Sequence, residues 1–205
     1  GCDTLVGAEL ENQPTTEGDS VCWGSHWEER LSHDSVMSAE LSGTDMSPLT
    51  LAWFEDAGWY RANFSAAGAQ PAWGYKAGCA FATDACLSGG GSAPAVLAHP
   101  FCNGDASDLS GAGDLGCSAD YGAKAYCSVA DWTADLDARF QYYDDASVGG
   151  DEEQADFCPY MKPYSNGDCA SAANAGANDA LYGEAYGAGS ACMLADLLDS
   201  GYTTQ

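Results

Sequence analysis

Ten cysteines are spread along the 205-residue chain from Cys2 to Cys192, and their spacing is the strongest constraint on what it can fold into. None of them forms a Cys-x-x-Cys pair, and only Cys79 and Cys86 lie fewer than ten residues apart. Zinc ribbons and redox motifs need close cysteine pairs, whereas disulfide frameworks do not. The spacing therefore favours a disulfide-linked protein made in an oxidising, extracellular or lumenal compartment.

The aliphatic content of the chain is low. Leu, Val and Phe together supply 27 of the 205 residues, and isoleucine is absent. Combined with a high net charge, this composition is typical of disordered chains. The 23 aromatic residues and the cysteines argue against disorder, because aromatic side chains bury large areas and cross-links lower the entropy of the unfolded chain. We predict an ordered protein in which the six tryptophans act mainly as core and loop anchors.

Charge excludes two classes of partner. The chain has 31 acidic and 6 basic residues, so its net charge is −25, and it would be repelled by nucleic acid and by an anionic membrane face. No apolar run approaches the roughly 18 residues of a membrane-spanning helix. The acidic run 151–153 lacks the ligand spacing of an EF-hand loop, which favours a solvated acidic loop over a calcium site.

The clearest local element is a helix predicted over residues 48–57. Asp45 or Ser47 can cap its first turn, and Pro48 suits a first helical position, where its missing N–H would have no partner in any case. Gly58 stands where a helix often ends in a left-handed conformation. Residues 134–143 and 193–198 are predicted as further helical segments.

Three histidines, His26, His33 and His99, are available as metal ligands or bases. No two of them have the i, i+4 spacing of a helical metal pair, and the sequence contains neither a His-Glu-x-x-His motif nor a nucleophile elbow. Taken alone, each is most simply a surface or hydrogen-bonded histidine. A self-contained catalytic centre is therefore not predicted within these residues.

The context of His26 adds a family resemblance. Residues 24–30 read Gly-Ser-His-Trp-Glu-Glu-Arg, Met37 follows the histidine by eleven positions, and residues 49–60 read Leu-Thr-Leu-Ala-Trp-Phe-Glu-Asp-Ala-Gly-Trp-Tyr. Together they resemble the leishmanolysin family of zinc peptidases, which are metzincins found at cell surfaces or secreted. The likeness covers nearly the whole chain, with further matching segments at 1–3, 71–74, 78–81, 101–103, 156–159 and 163–169.

This resemblance implies an irregular, disulfide-rich α+β fold in two parts. Residues 1–84 would be the C-terminal part of a metzincin-like catalytic region, and residues 85–205 a Cys-rich C-terminal domain. His26 matches the third zinc ligand of the family, and Met37 matches the methionine of the Met-turn beneath the zinc. The other two ligands and the glutamate base of the family lie upstream of the segment that matches Gly1, so we expect one zinc to be completed by residues outside this chain.

The resemblance also implies a disulfide pattern. The implied pairs are Cys2–Cys79, Cys86–Cys158, Cys102–Cys127 and Cys117–Cys192. Cys169 matches a cysteine whose usual partner lies beyond Gln205, and Cys22 has no family counterpart. Cys22 could pair with Cys169, pair with a cysteine upstream, or remain free.

Two functions follow as hypotheses. The first is part of a zinc endopeptidase that cleaves extracellular or cell-surface proteins and is not catalytic without the upstream zinc helix. The second is a non-catalytic structural or adhesive component of an extracellular assembly, built on the same scaffold. An upstream His-Glu-x-x-His motif would favour the first. Asn63-Phe64-Ser65 is a glycosylation sequence, in agreement with either protein being secreted or at the cell surface.

Overall fold

The computed structural model describes residues 2–3, 5–13, 24–40, 46–68, 72–92, 94–106, 115–176 and 179–193. Cys22 and the helical segment predicted from residue 193 lie outside these residues, except for Met193 itself. The described helices are short: α1 (Glu29–Ser32), α2 (Pro48–Asp56) and α3 (Ala80–Thr83), with 3-10 turns at Phe64–Ala66, Ala138–Phe140, Ala172–Asn174 and Asp179–Tyr182. Within the described part of the chain, no helix has the length and apolar character needed to cross a membrane.

The described strands are β1 (Leu87–Ser88), β2 (Ala95–Val96), β3 (Leu115–Cys117), β4 (Ala123–Cys127), β5 (Val129–Asp131), β6 (Val148–Gly150) and β7 (Met161–Asp168). They form small antiparallel sheets in the orders β1-β2, β3-β4-β7 and β5-β6. Pro163 lies opposite Ala125 in β7, a strand at the edge of its sheet, where a residue without an N–H is tolerated. The fold is a mixed helix and sheet structure with few helices, as predicted.

The core is built from aromatic residues and a disulfide. Its buried aromatic members are Trp73, Phe81, Phe101, Phe140, Tyr142, Tyr143, Phe157 and Tyr160. They surround the Cys86–Cys158 bridge, whose two cysteines are fully buried, and only a few aliphatic side chains such as Leu87 join them. The boundary near residue 85 stays a prediction, and Trp73 and Phe81, which precede it, pack in the same core as residues that follow it.

Four disulfides join the described residues, and they are the four pairs that the resemblance implies: Cys2–Cys79, Cys86–Cys158, Cys102–Cys127 and Cys117–Cys192. Three of them close loops of 72 to 77 residues. Each such link stabilises the fold by about 2–4 kcal/mol, mainly by restricting the unfolded chain. Cys169 is buried and makes no disulfide to any other described cysteine.

Helix α2 confirms the predicted capping. The Ser47 hydroxyl accepts a hydrogen bond from the Thr50 N–H at 3.2 Å, Pro48 occupies the first turn, and Gly58 has φ of +73° after the end of the helix. The buried residue of α2 is Thr50, which accepts a hydrogen bond from the Trp27 indole at 2.9 Å. This contact fixes α2 against the residue that follows His26.

The predicted helix over residues 134–143 is wrong. These residues contain only the 3-10 turn Ala138–Phe140, because the Asp137 carboxylate accepts from the Arg139 N–H and competes with a continuous helix.

The tryptophans differ in burial. Trp27 and Trp73 are buried, as the prediction that tryptophans act mainly as anchors requires, whereas Trp53 is 50% exposed and Trp59 is 84% exposed.

Candidate metal site around His26

The backbone around His26 lies between two other segments. On one side, the Glu11 N–H donates to the His26 carbonyl at 3.0 Å and the Glu28 N–H donates to the Glu9 carbonyl at 3.1 Å. On the other side, the Trp27 N–H donates to the Met37 carbonyl at 2.8 Å, and Trp27 forms a parallel bridge with Ser38. The chain therefore brings Met37 next to the residue that follows His26.

The His26 side chain is partly exposed, and its Nδ1 lies 3.2 Å from the Ser25 hydroxyl. An imidazole in this setting fits the role of one zinc ligand. Within the described ranges, His26 belongs to no group of three converging metal-ligating side chains. The described residues thus offer one donor here, where a catalytic zinc needs about three protein ligands.

A layer of buried charged side chains lies behind this segment. Glu11 is 3% exposed, Glu28 1% and Arg30 7%. The Glu11 carboxylate accepts from the Gln13 N–H at 2.7 Å, and the Glu28 carboxylate accepts from the Asn12 side-chain amide at 2.6 Å. Arg30 Nε lies 3.3 Å from the Asp156 carboxylate. Acidic side chains outnumber the single guanidinium among these residues, so their protonation matters for stability.

Burial shifts the pKa values of this layer. The pKa of Glu28 is raised to about 8, mainly by burial and also by the charges of Asp156 and Glu11. The pKa of Glu11 is raised to about 7, again by burial, although backbone N–H groups oppose the shift. Burial also raises the pKa of Asp156, against the effect of the Arg30 guanidinium. These carboxyl groups therefore bind protons more tightly in the folded chain than in the unfolded one.

We expect stability to fall as the pH rises through neutrality. Between the unfolded pKa of 4.5 and the folded value of about 8, the folded state holds a proton on Glu28 that the unfolded state has lost, so folding becomes less favourable as the pH rises. Glu28→Gln keeps an acceptor for Asn12 and removes this ionisation. Between about pH 5 and about pH 8, the free energy of unfolding should therefore fall less in the variant than in the parent. The difference between the two decreases should be on the order of 3 kcal/mol.

Urea unfolding of both chains across this range, in metal-free buffer, measures the difference. Glu153→Gln is the matched control, since it removes a carboxylate of the 151–153 run outside the buried layer. If the Glu28→Gln and parent curves fall in parallel with pH, the proton is not held at Glu28.

The family model of leishmanolysin matches residues 1–204. The chain belongs to the leishmanolysin family. It is 34% identical over 171 residues to leishmanolysin of Leishmania major, and 33% identical over 175 residues to the leishmanolysin-like peptidase of Drosophila melanogaster. These alignments cover 82% and 80% of this chain but only 26% and 24% of the relatives.

A third relative, the leishmanolysin homolog of Crithidia fasciculata, is 34% identical over 176 residues, which are 85% of this chain and 24% of that protein. The chain thus spans about a quarter of the length of the leishmanolysins that it matches. Leishmanolysins are zinc metallopeptidases, and peptidases of this family act on protein substrates.

The other residues predicted from the sequence make contacts of their own. Asn63 is exposed, and its side-chain oxygen accepts from the Ser65 N–H and hydroxyl at 3.2 and 2.7 Å. His99 lies beside Tyr121, with ring centroids 5.1 Å apart. The Cys2–Cys79 disulfide links the start of the described chain to the residue before α3.

Sequence reasoning missed two buried contacts between charged or titratable side chains. His33 is mostly buried, in contact with Glu29 and Glu152, and the only signal for it was the i, i+4 spacing of Glu29 and His33. The pairing of Arg30 with Asp156 has no sequence signal, because 126 positions separate the two residues.

Proposed function

We propose that this chain is part of a zinc endopeptidase of the leishmanolysin type that cleaves extracellular or cell-surface proteins. The observation that carries the proposal is the backbone pairing of Trp27 with Met37, because it sets a methionine-bearing turn beside His26. That arrangement is what a third zinc ligand and a Met-turn require. Membership of the leishmanolysin family supports the same assignment, as does the presence of both His26 and Met37 at the matching positions.

His26 supplies one imidazole ligand, and Met37 lies in the turn beneath it. A zinc ion bound there provides Lewis acidity and a water of lowered pKa. The remaining ligands and the general base would come from the upstream part of the same polypeptide, and the substrates would be proteins or peptides. In this arrangement, residues 1–84 form the metzincin-like portion and residues 85–205 the Cys-rich domain.

The secretory pathway is the proposed location. Disulfides are stable in oxidising compartments, and four of them cross-link the described part of this chain. Asn63 lies on an exposed turn, as a glycan acceptor requires, and we propose that it is glycosylated.

The alternative function is a non-catalytic structural or adhesive component of an extracellular assembly. The observation in its favour is that these 205 residues contain no His-Glu-x-x-His motif. In that case His26 and Met37 are relics, and the exposed aromatic side chains of Trp53 and Trp59 suit contacts with another macromolecule.

The test uses the complete polypeptide that carries this chain. Zinc content is measured by mass spectrometry, and cleavage of an unfolded protein substrate is measured before and after treatment with a zinc chelator. The endopeptidase should hold one zinc and lose its activity on chelation, with recovery when zinc is restored. A polypeptide that cleaves nothing, with or without added zinc, is the scaffold.

Met37→Leu is expected to have a mild effect in the same polypeptide. The two side chains have similar volumes, so the substitution should cost less than about 1.5 kcal/mol of stability and leave the zinc bound. Activity should fall by less than about tenfold, a loss that corresponds to about 1.4 kcal/mol. Complete loss of zinc from this variant would mean that the Met37 sulfur has a direct role at the metal.

A further inference from the structure

A second group of side chains that could bind a metal includes residues at both ends of α1. Glu29 begins this helix and His33 follows its last residue, so the two side chains are one helical turn apart. Glu152 comes from the turn that follows β6. One donor atom from each of these three residues lies within 4.8 Å of the other two.

The separations suit a small divalent cation. His33 Nε2 lies 3.8 Å from Glu29 Oε1 and 3.6 Å from Glu152 Oε2. In a tetrahedral site with ligand distances of about 2.1 Å, two ligand atoms lie about 3.4 Å apart. Both gaps are longer than the 2.7–3.2 Å of a usual N–H···O hydrogen bond. The two histidine separations exceed the tetrahedral value by only a few tenths of an ångström, and the two carboxylate oxygens lie within 4.8 Å of each other.

Each ligand is held in place by a neighbouring group. Glu29 is fully buried, and its other oxygen accepts from the Glu40 N–H at 3.0 Å. The other oxygen of Glu152 accepts from Lys162 Nζ at 3.0 Å. Such contacts to the second oxygen orient a metal-binding carboxylate.

Aromatic packing orients the histidine. The His33 ring stacks on Trp73 with centroids 4.4 Å apart and an interplanar angle of 13°, and it meets the edge of Tyr160 at 4.6 Å. This packing fixes the plane of the ring, and Nε2 is the ring atom that lies nearest the two carboxylates.

The local charge favours a cation. Glu29, Glu152 and Asp151 supply three carboxylates, and Lys162 supplies one ammonium, 2.7 Å from Asp151, so the balance without the histidine is 1 − 3 = −2 when all are ionised.

We propose that Glu29, His33 and Glu152 form a metal site that binds one zinc-class divalent cation and ties α1 to the turn after β6. The donor set decides the class of ion, since zinc takes imidazole nitrogen and carboxylate oxygen together. Calcium takes about six to eight oxygen ligands, and magnesium requires octahedral oxygen geometry. Three protein ligands leave the fourth position to water.

The test uses the 205-residue chain with its disulfides intact and its accessible thiols alkylated, in a His26→Ala background that removes the other candidate ligand. Zn²⁺ binding is measured by calorimetry, and Co²⁺ binding by its visible absorption. One equivalent of metal should bind, and Zn²⁺ should raise the thermal midpoint in a way that a chelator reverses. Glu152→Gln and His33→Gln should each weaken binding by at least about tenfold, since loss of even an outer-shell partner costs about 10–100-fold. Glu153→Gln is the matched control and should bind as the parent does.

Three results would overturn the site. They are the absence of metal binding at millimolar concentration, an affinity unchanged by both Glu152→Gln and His33→Gln, and an equal loss in the Glu153→Gln control. In each case Glu29, His33 and Glu152 would be a buried polar cluster and not a metal site. If the two variants fail to fold, the NMR signal of His33 Nε2 in the His26→Ala chain provides the test. This signal should shift on addition of Zn²⁺ if His33 is a ligand, and an unchanged signal would overturn the site.

Discussion

His26→Ala is expected to remove zinc and peptidase activity from the complete polypeptide. A catalytic zinc is held by about three protein ligands, and loss of an outer-shell partner alone weakens binding by about 10–100-fold, so loss of a ligand should weaken it by at least roughly a thousandfold. Metal analysis after dialysis and cleavage of an unfolded protein substrate measure the two losses. Both should be larger than those of Met37→Leu.

The same change should leave the fold intact. The His26 side chain is only partly buried, and the contacts of this residue with Glu11 are made by its backbone, which alanine retains. The free energy of unfolding of the 205-residue chain should change by less than about 1 kcal/mol, as is usual for exposed positions. His99→Ala is the matched histidine control and should keep both zinc and activity. Unchanged zinc content in the His26 variant would refute the ligand role.

Arg30→Met should be the most destabilising of the substitutions considered for the 205-residue chain, at about 3–5 kcal/mol. The guanidinium donates to the carbonyls of Phe81, Ala82 and Asp84 at 3.0–3.4 Å, at the end of α3, and pairs with the Asp156 carboxylate. Methionine keeps the unbranched stem of the side chain as far as the position of Nε and removes every donor. It leaves a mostly buried carboxylate without its counter-ion, which costs more than the net contribution of the pair.

Urea unfolding of the oxidised chain measures this loss. Arg139→Met is the control, because Arg139 pairs with Asp137 at the surface, where an ion pair contributes about 0–1 kcal/mol. Adding Asp156→Asn to Arg30→Met should recover part of the loss, since the uncompensated charge is then gone. If the two substitutions are simply additive, Arg30 acts through the α3 carbonyls alone.

The backbone at Asp156 underlines the importance of this pair. Asp156 and Phe157 have φ of 55° and 54°, a left-handed conformation that costs non-glycine residues on the order of 1 kcal/mol each. Next to them, Gly150 approaches the Cys158 carbonyl so closely that a side chain would collide with it. The Cys86–Cys158 disulfide holds this turn against the core. The strained turn and its disulfide thus place the Asp156 carboxylate against Arg30.

Local sequence was most informative where neighbouring residues decide the structure. Ser47, Pro48 and Gly58 marked the ends of α2 correctly, because capping hydrogen bonds and a left-handed residue act within one turn of a helix. Side-chain exposure in the same helix was not predictable, since Trp53 is half exposed while Thr50 is buried under Trp27. Helical periodicity shows which residues share a face, but not which face the rest of the chain covers.

The four disulfide pairs came from the resemblance to leishmanolysins. The cysteine spacing alone predicted a disulfide framework, but it could not choose among the pairings of ten cysteines. The same limit applied to His33, which the sequence left as an ordinary histidine. Its partner Glu152 is 119 positions away, and no local rule connects them.

The sequence by itself determined the disulfide-linked, aliphatic-poor character of this protein, the boundaries of α2 and, through the motifs around His26 and Met37, its family. These properties depend on residue types and on short intervals along the chain. Only the tertiary structure decided the contacts of His33 with Glu29 and Glu152, and the pairing of Arg30 with Asp156. Those groups are brought together by an aromatic core and by long-range cross-links. The free energy of a charged or metal-binding group depends on its burial and on its neighbours, which here are distant in sequence.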